Sequence, residues 1–118
     1  MRVVRVGAAG RSPSDAEIFR GHVETQTVVD EDSRDLRLLE VHFRAGARNR
    51  LHTHSTDQIL VVTEGAGIVA TRSETREVDA GDVAFIPAGE PHWHGARPGR
   101  DMTHWSITGQ AETTIVGD

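Results

Sequence analysis

Two stretches decide the fold: residues 46–65, GARNRLHTHSTDQILVVTEG, and residues 81–96, GDVAFIPAGEPHWHGA. His52 and His54 lie two residues apart in the first stretch, and His92 and His94 do so in the second. Residues two apart in a β-strand project from the same face. Each pair can therefore present two imidazoles to one ion, and the two pairs together predict a metal site between two strands.

Gln58 extends this constellation. It lies four residues after His54, an even offset, so its amide would join the same face if the strand stayed regular through residues 55–57. The set then offers three or four imidazoles and one amide oxygen. Such nitrogen and oxygen donors suit Mn, Fe, Co, Ni, Cu or Zn better than Ca or Mg.

The strand pattern continues outside these stretches. Within residues 36–44, Leu39, Val41 and Phe43 alternate with polar residues and are expected to point inward. Residues 58–63 are apolar on both faces, and the EGAG of residues 64–67 predicts a turn after them. Short strands at regular spacing, separated by turn signals, favour an all-β barrel or sandwich.

One helix signal stands near the start of the chain. Ser12 is a possible N-cap, Pro13 fits the first helical position, and Asp15 completes a pattern similar to a capping box. Only about two turns could follow before Gly21 ends them. We expect a short helix or helical turn over residues 12–20.

Composition excludes several classes of function. The chain has 118 residues, which suits one domain over residues 1–118, and a formal net charge of -5. Its 13 basic residues are all arginine and scattered, so no nucleic acid is expected as a partner. No apolar run approaches membrane-spanning length, so no membrane is expected either. The absence of lysine rules out Schiff-base chemistry, and the absence of cysteine rules out thiolate chemistry and disulfides. We expect a cytoplasmic protein.

The two stretches resemble the two motifs of the cupin family. Gly46, His52, His54, Gln58 and Gly65 match the first motif over residues 46–65, and the glycine, proline and histidine spacing of residues 81–96 matches the second. The resemblance implies a double-stranded β-helix, or jelly-roll, barrel. There are two departures, because cupins usually have glutamate at the position of Gln58 and asparagine at the position of Ala96. A neutral amide would leave more positive charge on the ion and so favour an anion or a developing oxyanion.

A narrower resemblance is to the manganese-dependent bacterial hydroxynitrile lyases, which are small cupins that make and cleave cyanohydrins. It rests on the two histidine motifs together with residues 18–21 and residues 102–104. It implies that the metal ligands are His52, His54, Gln58 and His92. His94 and His104 would be pocket histidines that move the proton, each near its usual pKa, and Leu39, Val41 and Phe43 would form an apolar wall. Manganese is the expected ion; Fe, Zn, Ni or Co would also suit the donors.

Two other functions stay open. A histidine-rich cupin holding Fe or Mn with free coordination positions could be a dioxygenase, and a barrel without catalysis could bind or sense a small molecule. In every case the expected partner is a small molecule. Cupins commonly pair, so a homodimer or higher homo-oligomer is expected, with the doubly apolar strand of residues 58–63 accepting a partner.

Overall fold

A computed structural model describes all 118 residues of the protein. It shows a nearly closed barrel of antiparallel strands. The strands are β1 (Ser12–Ser14), β2 (Phe19–Arg20), β3 (Val23–Val29), β4 (Leu36–Phe43), β5 (Arg48–Asn49), β6 (His52–His54), β7 (Gln58–Thr71), β8 (Thr75–Asp79), β9 (Val83–Ile86), β10 (His92–Ala96), β11 (Met102–Gly109) and β12 (Thr113–Ile115). The all-β jelly-roll prediction is confirmed.

The long strand β7 joins the two sheets of the barrel. Its first half pairs with β9 and β11 and its second half with β8 and β10. The first sheet continues from β11 through β4 and β3 to β1. In the second sheet, β5 and β6 both pair with β10. On their other sides, β5 pairs with β2 and β6 pairs with β12. One strand therefore carries the chain from one wall of the barrel to the other.

The predicted turn at residues 64–67 is wrong, because β7 runs through them. Gly65 has a φ of 77°, a conformation open to glycine at little cost. The register against β11 also shifts between Thr103 and His104. A bulge of this kind bends a strand without ending it, so the EGAG segment redirects β7 between the sheets.

The apolar core fills one end of the barrel. Its buried members are Val23, Val41, Phe43, Ala47, Val62, Val78, Ala96 and Met102. The alternation in β4 aims its apolar residues inward, as expected. Beyond this core the interior becomes polar, with four buried histidines: His52, His92, His94 and His104. Burial of this much imidazole in one place needs a compensating partner or function.

The N-terminal region contains a short helical turn, but not where the capping pattern put it. The turn is a 3-10 turn at Ala8–Gly10, whereas residues 12–20 form β1, a turn and β2. Ser12 and Ser14 pair with β3, and a two-turn helix has little stability of its own. Tertiary pairing therefore overrides the local signal. No helix in the structure has the length and apolarity needed to cross a membrane.

Candidate metal centre

Three histidines converge inside the barrel. His52 and His54 come from β6 and His92 from β10, and His52 and His92 face each other as direct cross-strand partners. Their ligand-capable atoms all lie within 4.8 Å of one another. The His52 and His92 ring centroids are 4.3 Å apart. These three side chains could hold a metal ion.

Each of the three rings is held through its Nδ1 atom. His52 Nδ1 lies 2.6 Å from the carbonyl oxygen of Arg50, and His92 Nδ1 lies 2.9 Å from that of Glu90. His54 Nδ1 lies 2.8 Å from the hydroxyl of Thr113. A carbonyl can only accept, so Nδ1 of His52 and of His92 carries the proton and Nε2 keeps its lone pair. His54 Nε2 is buried without any hydrogen-bond partner, which is the state expected of a donor atom reserved for an ion.

The histidine pKa values are consistent with this use. Burial lowers the pKa of His52 to about 3 and that of His54 to about 4. Burial also lowers the pKa of His92. Desolvation disfavours the protonated ring in each case, so all three imidazoles are neutral at pH 7 and their lone pairs are available.

Gln58 reaches the cluster by a route that its sequence offset did not anticipate. The strand does not stay regular through residues 55–57; β6 ends at His54, and the chain bends before β7 begins at Gln58. Barrel closure nevertheless places Gln58 Oε1 3.0 Å from His92 Nε2. Its Nε2 donates to the hydroxyl of Ser106 over 2.8 Å, which aims the amide oxygen at the histidines. The parity argument is wrong, and the position of the amide follows from long-range packing.

A second histidine pair lies beside the first cluster. His104 Nε2 is 2.9 Å from His94 Nδ1, and both side chains are buried. Burial lowers the pKa of His104 to about 4 and that of His94 well below its usual range. The expectation of ordinary pKa values for this pair is wrong, because burial disfavours the protonated form of both rings. Both are neutral bases at pH 7, and they share a single hydrogen bond.

Asn49 holds His94 and was not found from the sequence. Its Oδ1 accepts from the backbone N–H of His94 over 2.8 Å. Its Nδ2 lies 3.2 Å from Nε2 of the same imidazole and, as an amide donor, points at the ring. The side chain is only 4% exposed. Asn49 belongs to β5 and His94 to β10, so no local pattern relates them.

The histidines open into a cavity of about 460 Å³. Leu39, Val41 and Phe43 line it from β4, where the sequence placed them. Ile18 and Phe19 add to this apolar wall from the N-terminal region, although residues 18–19 are not helical. His52, His54, Gln58, His94 and His104 all reach the same cavity. Three of the four predicted ligands, both predicted proton-transfer residues and the apolar wall therefore line one space, while His92 is not among its lining residues.

Residues 39–108 match the family described as the cupin domain. The chain is also similar to the (R)-mandelonitrile lyase of Granulicella tundricola, with 36% identity over 109 residues, or 91% of this chain and 83% of that protein. The cupin-domain match spans all four predicted metal-ligand positions.

Solved structures give the same picture of the fold. A cupin-like protein from Thermotoga maritima superposes with a TM-score of 0.86 at 34% identity, covering 91% of this chain and 85% of that one. The polyketide cyclase RemF from Streptomyces resistomycificus superposes with a TM-score of 0.79 over 99% of this chain and 89% of its own. Its identity is 18%, so this likeness concerns the barrel alone.

Proposed function

The chain belongs to the cupin family, and from that premise we propose that it is a metal-dependent lyase acting on cyanohydrins or related small hydroxy compounds. One observation supports this most directly: two imidazoles of the cluster able to hold an ion, His52 and His54, line the same cavity as a separate, hydrogen-bonded histidine pair. The likeness to an (R)-mandelonitrile lyase favours the same reaction class.

The proposed ligands are His52, His54, Gln58 and His92. The donor set fits an ion, since three lone pairs and one amide oxygen point into a common space. A divalent ion bound there would supply Lewis-acid stabilisation of negative charge on the substrate oxygen. Manganese is proposed from the family resemblance, and elemental analysis of the purified protein tests it. A cytoplasmic location and a small-molecule substrate belong to the same proposal.

The proposed role of His94 and His104 is to move the proton. In cyanohydrin cleavage the base takes the hydroxyl proton, the C–C bond breaks with its electron pair on cyanide, and the proton is returned to give HCN and a carbonyl compound. His94 is neutral and can accept that proton. The His104 imidazole, 2.9 Å away, can share the resulting charge. Asn49 holds the backbone N–H of His94 throughout, and its Nδ2 faces the ring while Nε2 is unprotonated.

The apolar wall would receive the substituent of the substrate. Phe43 contacts both rings of the pair, with centroids 6.0 Å from His94 and 5.4 Å from His104. An aromatic or aliphatic group lying against Phe43, Leu39 and Val41 would place its hydroxyl-bearing carbon next to these imidazoles. This arrangement orients the substrate and keeps water away from the reacting atoms.

The experiment is an assay of mandelonitrile cleavage by protein loaded with Mn²⁺, followed by benzaldehyde absorbance with an oxygen electrode in the same cell. The proposal predicts benzaldehyde release without oxygen consumption, and loss of the activity on chelation. Oxygen uptake with aromatic substrates would instead indicate a dioxygenase. Neither signal at full metal occupancy would leave a binding or sensing barrel and would refute the lyase.

A further inference from the structure

The cavity is lined by a positive charge and by no negative charge. Its lining contains no aspartate or glutamate, and its only formally charged side chain is that of Arg37. The histidines of the lining are neutral or cationic and supply no negative charge. The proposed ligands supply none either, so no side chain of the cavity offsets the charge of a bound cation. The interior is therefore electropositive in a chain whose net charge is -5.

Arg37 belongs to the inward face of β4. It precedes Leu39, Val41 and Phe43 in the same alternating series, and all four line the cavity. Arg37 pairs across the sheet with Thr108, and Thr108 pairs with Gln58 on the far side. Strand β4, which carries Arg37, is therefore two strands away from β7, which carries Gln58. At the usual strand spacing the two backbones are roughly 10 Å apart.

The guanidinium is held by three partners outside the apolar wall. Nε donates to Asp30 over 2.7 Å, Nη1 to the carbonyl oxygen of Ala111 over 3.1 Å, and Nη2 to the side chain of Gln110 over 3.1 Å. Five N–H donors are present in an arginine side chain, so each terminal nitrogen keeps one N–H beyond these bonds. Preorganisation of this kind lowers the entropy cost of binding a ligand.

Arg37 is the one permanently cationic side chain that lines the cavity. Asp30, which neutralises part of the guanidinium charge, is not among the residues lining the cavity. The lining of the cavity therefore contains one permanent cation and no carboxylate.

We propose that Arg37 is a specificity residue that binds a carboxylate on the substrate, so that the preferred substrates are cyanohydrins or related hydroxy compounds that also carry a carboxylate. The hydroxyl would lie at the histidines and the carboxylate at Arg37, with the carbon skeleton along Leu39 and Val41. This proposal rests on the proposed function in one respect, namely that the substrate hydroxyl reacts at the histidines. The carboxylate site itself depends on Arg37 and the charge of the cavity.

The test compares two probes of the same shape, 4-(hydroxymethyl)benzoate and its neutral amide, by isothermal titration calorimetry. Metal-free protein is measured first, because there no ion can bind the carboxylate. Wild type should bind the benzoate about tenfold more tightly than the amide, the effect of one charge-assisted hydrogen bond. In Arg37→Gln the two affinities should become equal. Arg34→Gln, which changes an arginine side chain that is 94% exposed, should keep the wild-type ratio.

Three outcomes overturn the proposal: no preference for the benzoate in wild type, an unchanged ratio in Arg37→Gln, or an equal loss in Arg34→Gln. If Arg37→Gln does not fold, Arg37→Lys keeps the charge and should retain part of the preference, and the wild-type ratio still decides. The same titrations with Mn²⁺-loaded protein separate this proposal from the lyase. If the lyase hypothesis fails, the ratio of the benzoate and amide affinities should still depend on Arg37. If that ratio shows no preference, mandelonitrile cleavage is unaffected.

Discussion

His92 Nε2 and Gln58 Oε1 lie 3.0 Å apart inside the barrel. His92 Nδ1 faces the carbonyl oxygen of Glu90, and the amide nitrogen of Gln58, as oriented, faces Ser106. The two atoms that meet are therefore both acceptors. Two acceptors at this separation repel each other, and a cation bound to both would remove that repulsion. This contact supports metal binding more specifically than the number of histidines does.

Ser106 is predicted to control metal affinity without touching the metal. Its hydroxyl fixes the amide of Gln58, so Ser106→Ala should let the amide turn and weaken metal binding about 10–100-fold, as loss of such outer contacts commonly does. Competition with a chromogenic chelator measures the change. Ser73→Ala, in an exposed turn, is the matched control. Equal affinities for both variants would contradict the prediction.

The two histidine groups should respond differently to truncation. His54→Ala removes a proposed ligand whose Nε2 has no other partner, so metal and activity should be lost together. His94→Ala should keep the metal and lose at least about 100-fold in kcat, the range of general acid–base catalysis. Elemental analysis and steady-state kinetics on the same samples measure both properties. An unaltered rate in His94→Ala would remove the catalytic role of this residue.

Two motif glycines with similar backbones should differ in their tolerance of alanine. Gly46 and Gly65 have φ values of 74° and 77°. A Cβ at Gly46 meets nothing within 4 Å, whereas one at Gly65 overlaps the carbonyl oxygen of Asp101. Gly46→Ala should cost about 1–2 kcal/mol of conformational strain, and Gly65→Ala about 1–3 kcal/mol more through overpacking. Urea unfolding measures both, and equal losses would contradict the steric reason.

Metal-free protein should lose stability in mild acid. Because burial lowers the pKa of His104 to about 4 from 6.5, the unfolded chain takes up a proton between these values that the folded protein does not. The free energy of unfolding therefore falls as pH falls from 6.5 towards 4, by up to about 1.4 kcal/mol per pH unit for this group. Thermal melts of wild type and His104→Gln across this range test it. The variant should have the shallower dependence, and parallel curves would contradict it.

The outer face of β7 and β9 is predicted to bind a second copy of the chain. Ile59 and Phe85 are direct cross-strand partners, and with Val83 they form an apolar patch with exposures of 40%, 62% and 64%. The same chain offers an apolar element to cover it, since Met1 and Val3 of the N-terminal segment are 121% and 92% exposed. Contiguous exposed apolar residues of this kind usually mark an interface.

Light scattering after size-exclusion chromatography tests the patch. Wild type should elute as a dimer and Phe85→Ser as a monomer. Val116→Ser, which changes an apolar residue with 41% exposure on the C-terminal segment, should remain dimeric. A monomeric wild type at micromolar concentration would show that the patch serves no self-association.

Local features were predictable because they depend on neighbours in the chain. The spacing of His52 and His54, and of His92 and His94, placed each pair on one face of a strand. The alternation of Leu39, Val41 and Phe43 likewise predicted the cavity wall. Where a local signal competed with strand pairing, at residues 12–20, the pairing prevailed.

The sequence by itself determined the all-β class and which histidines share a strand face, because backbone geometry and side-chain period act over a few residues. Only the tertiary structure decided that Gln58 meets His92, that Asn49 and His104 hold His94, and that Arg37 faces the cavity. The residues of the first contact are 34 apart in the chain, those of the Asn49 contact 45 and those of the His104 contact 10. Closure of the sheet fixes them, and the resulting burial makes the imidazoles neutral, which no local pattern reveals.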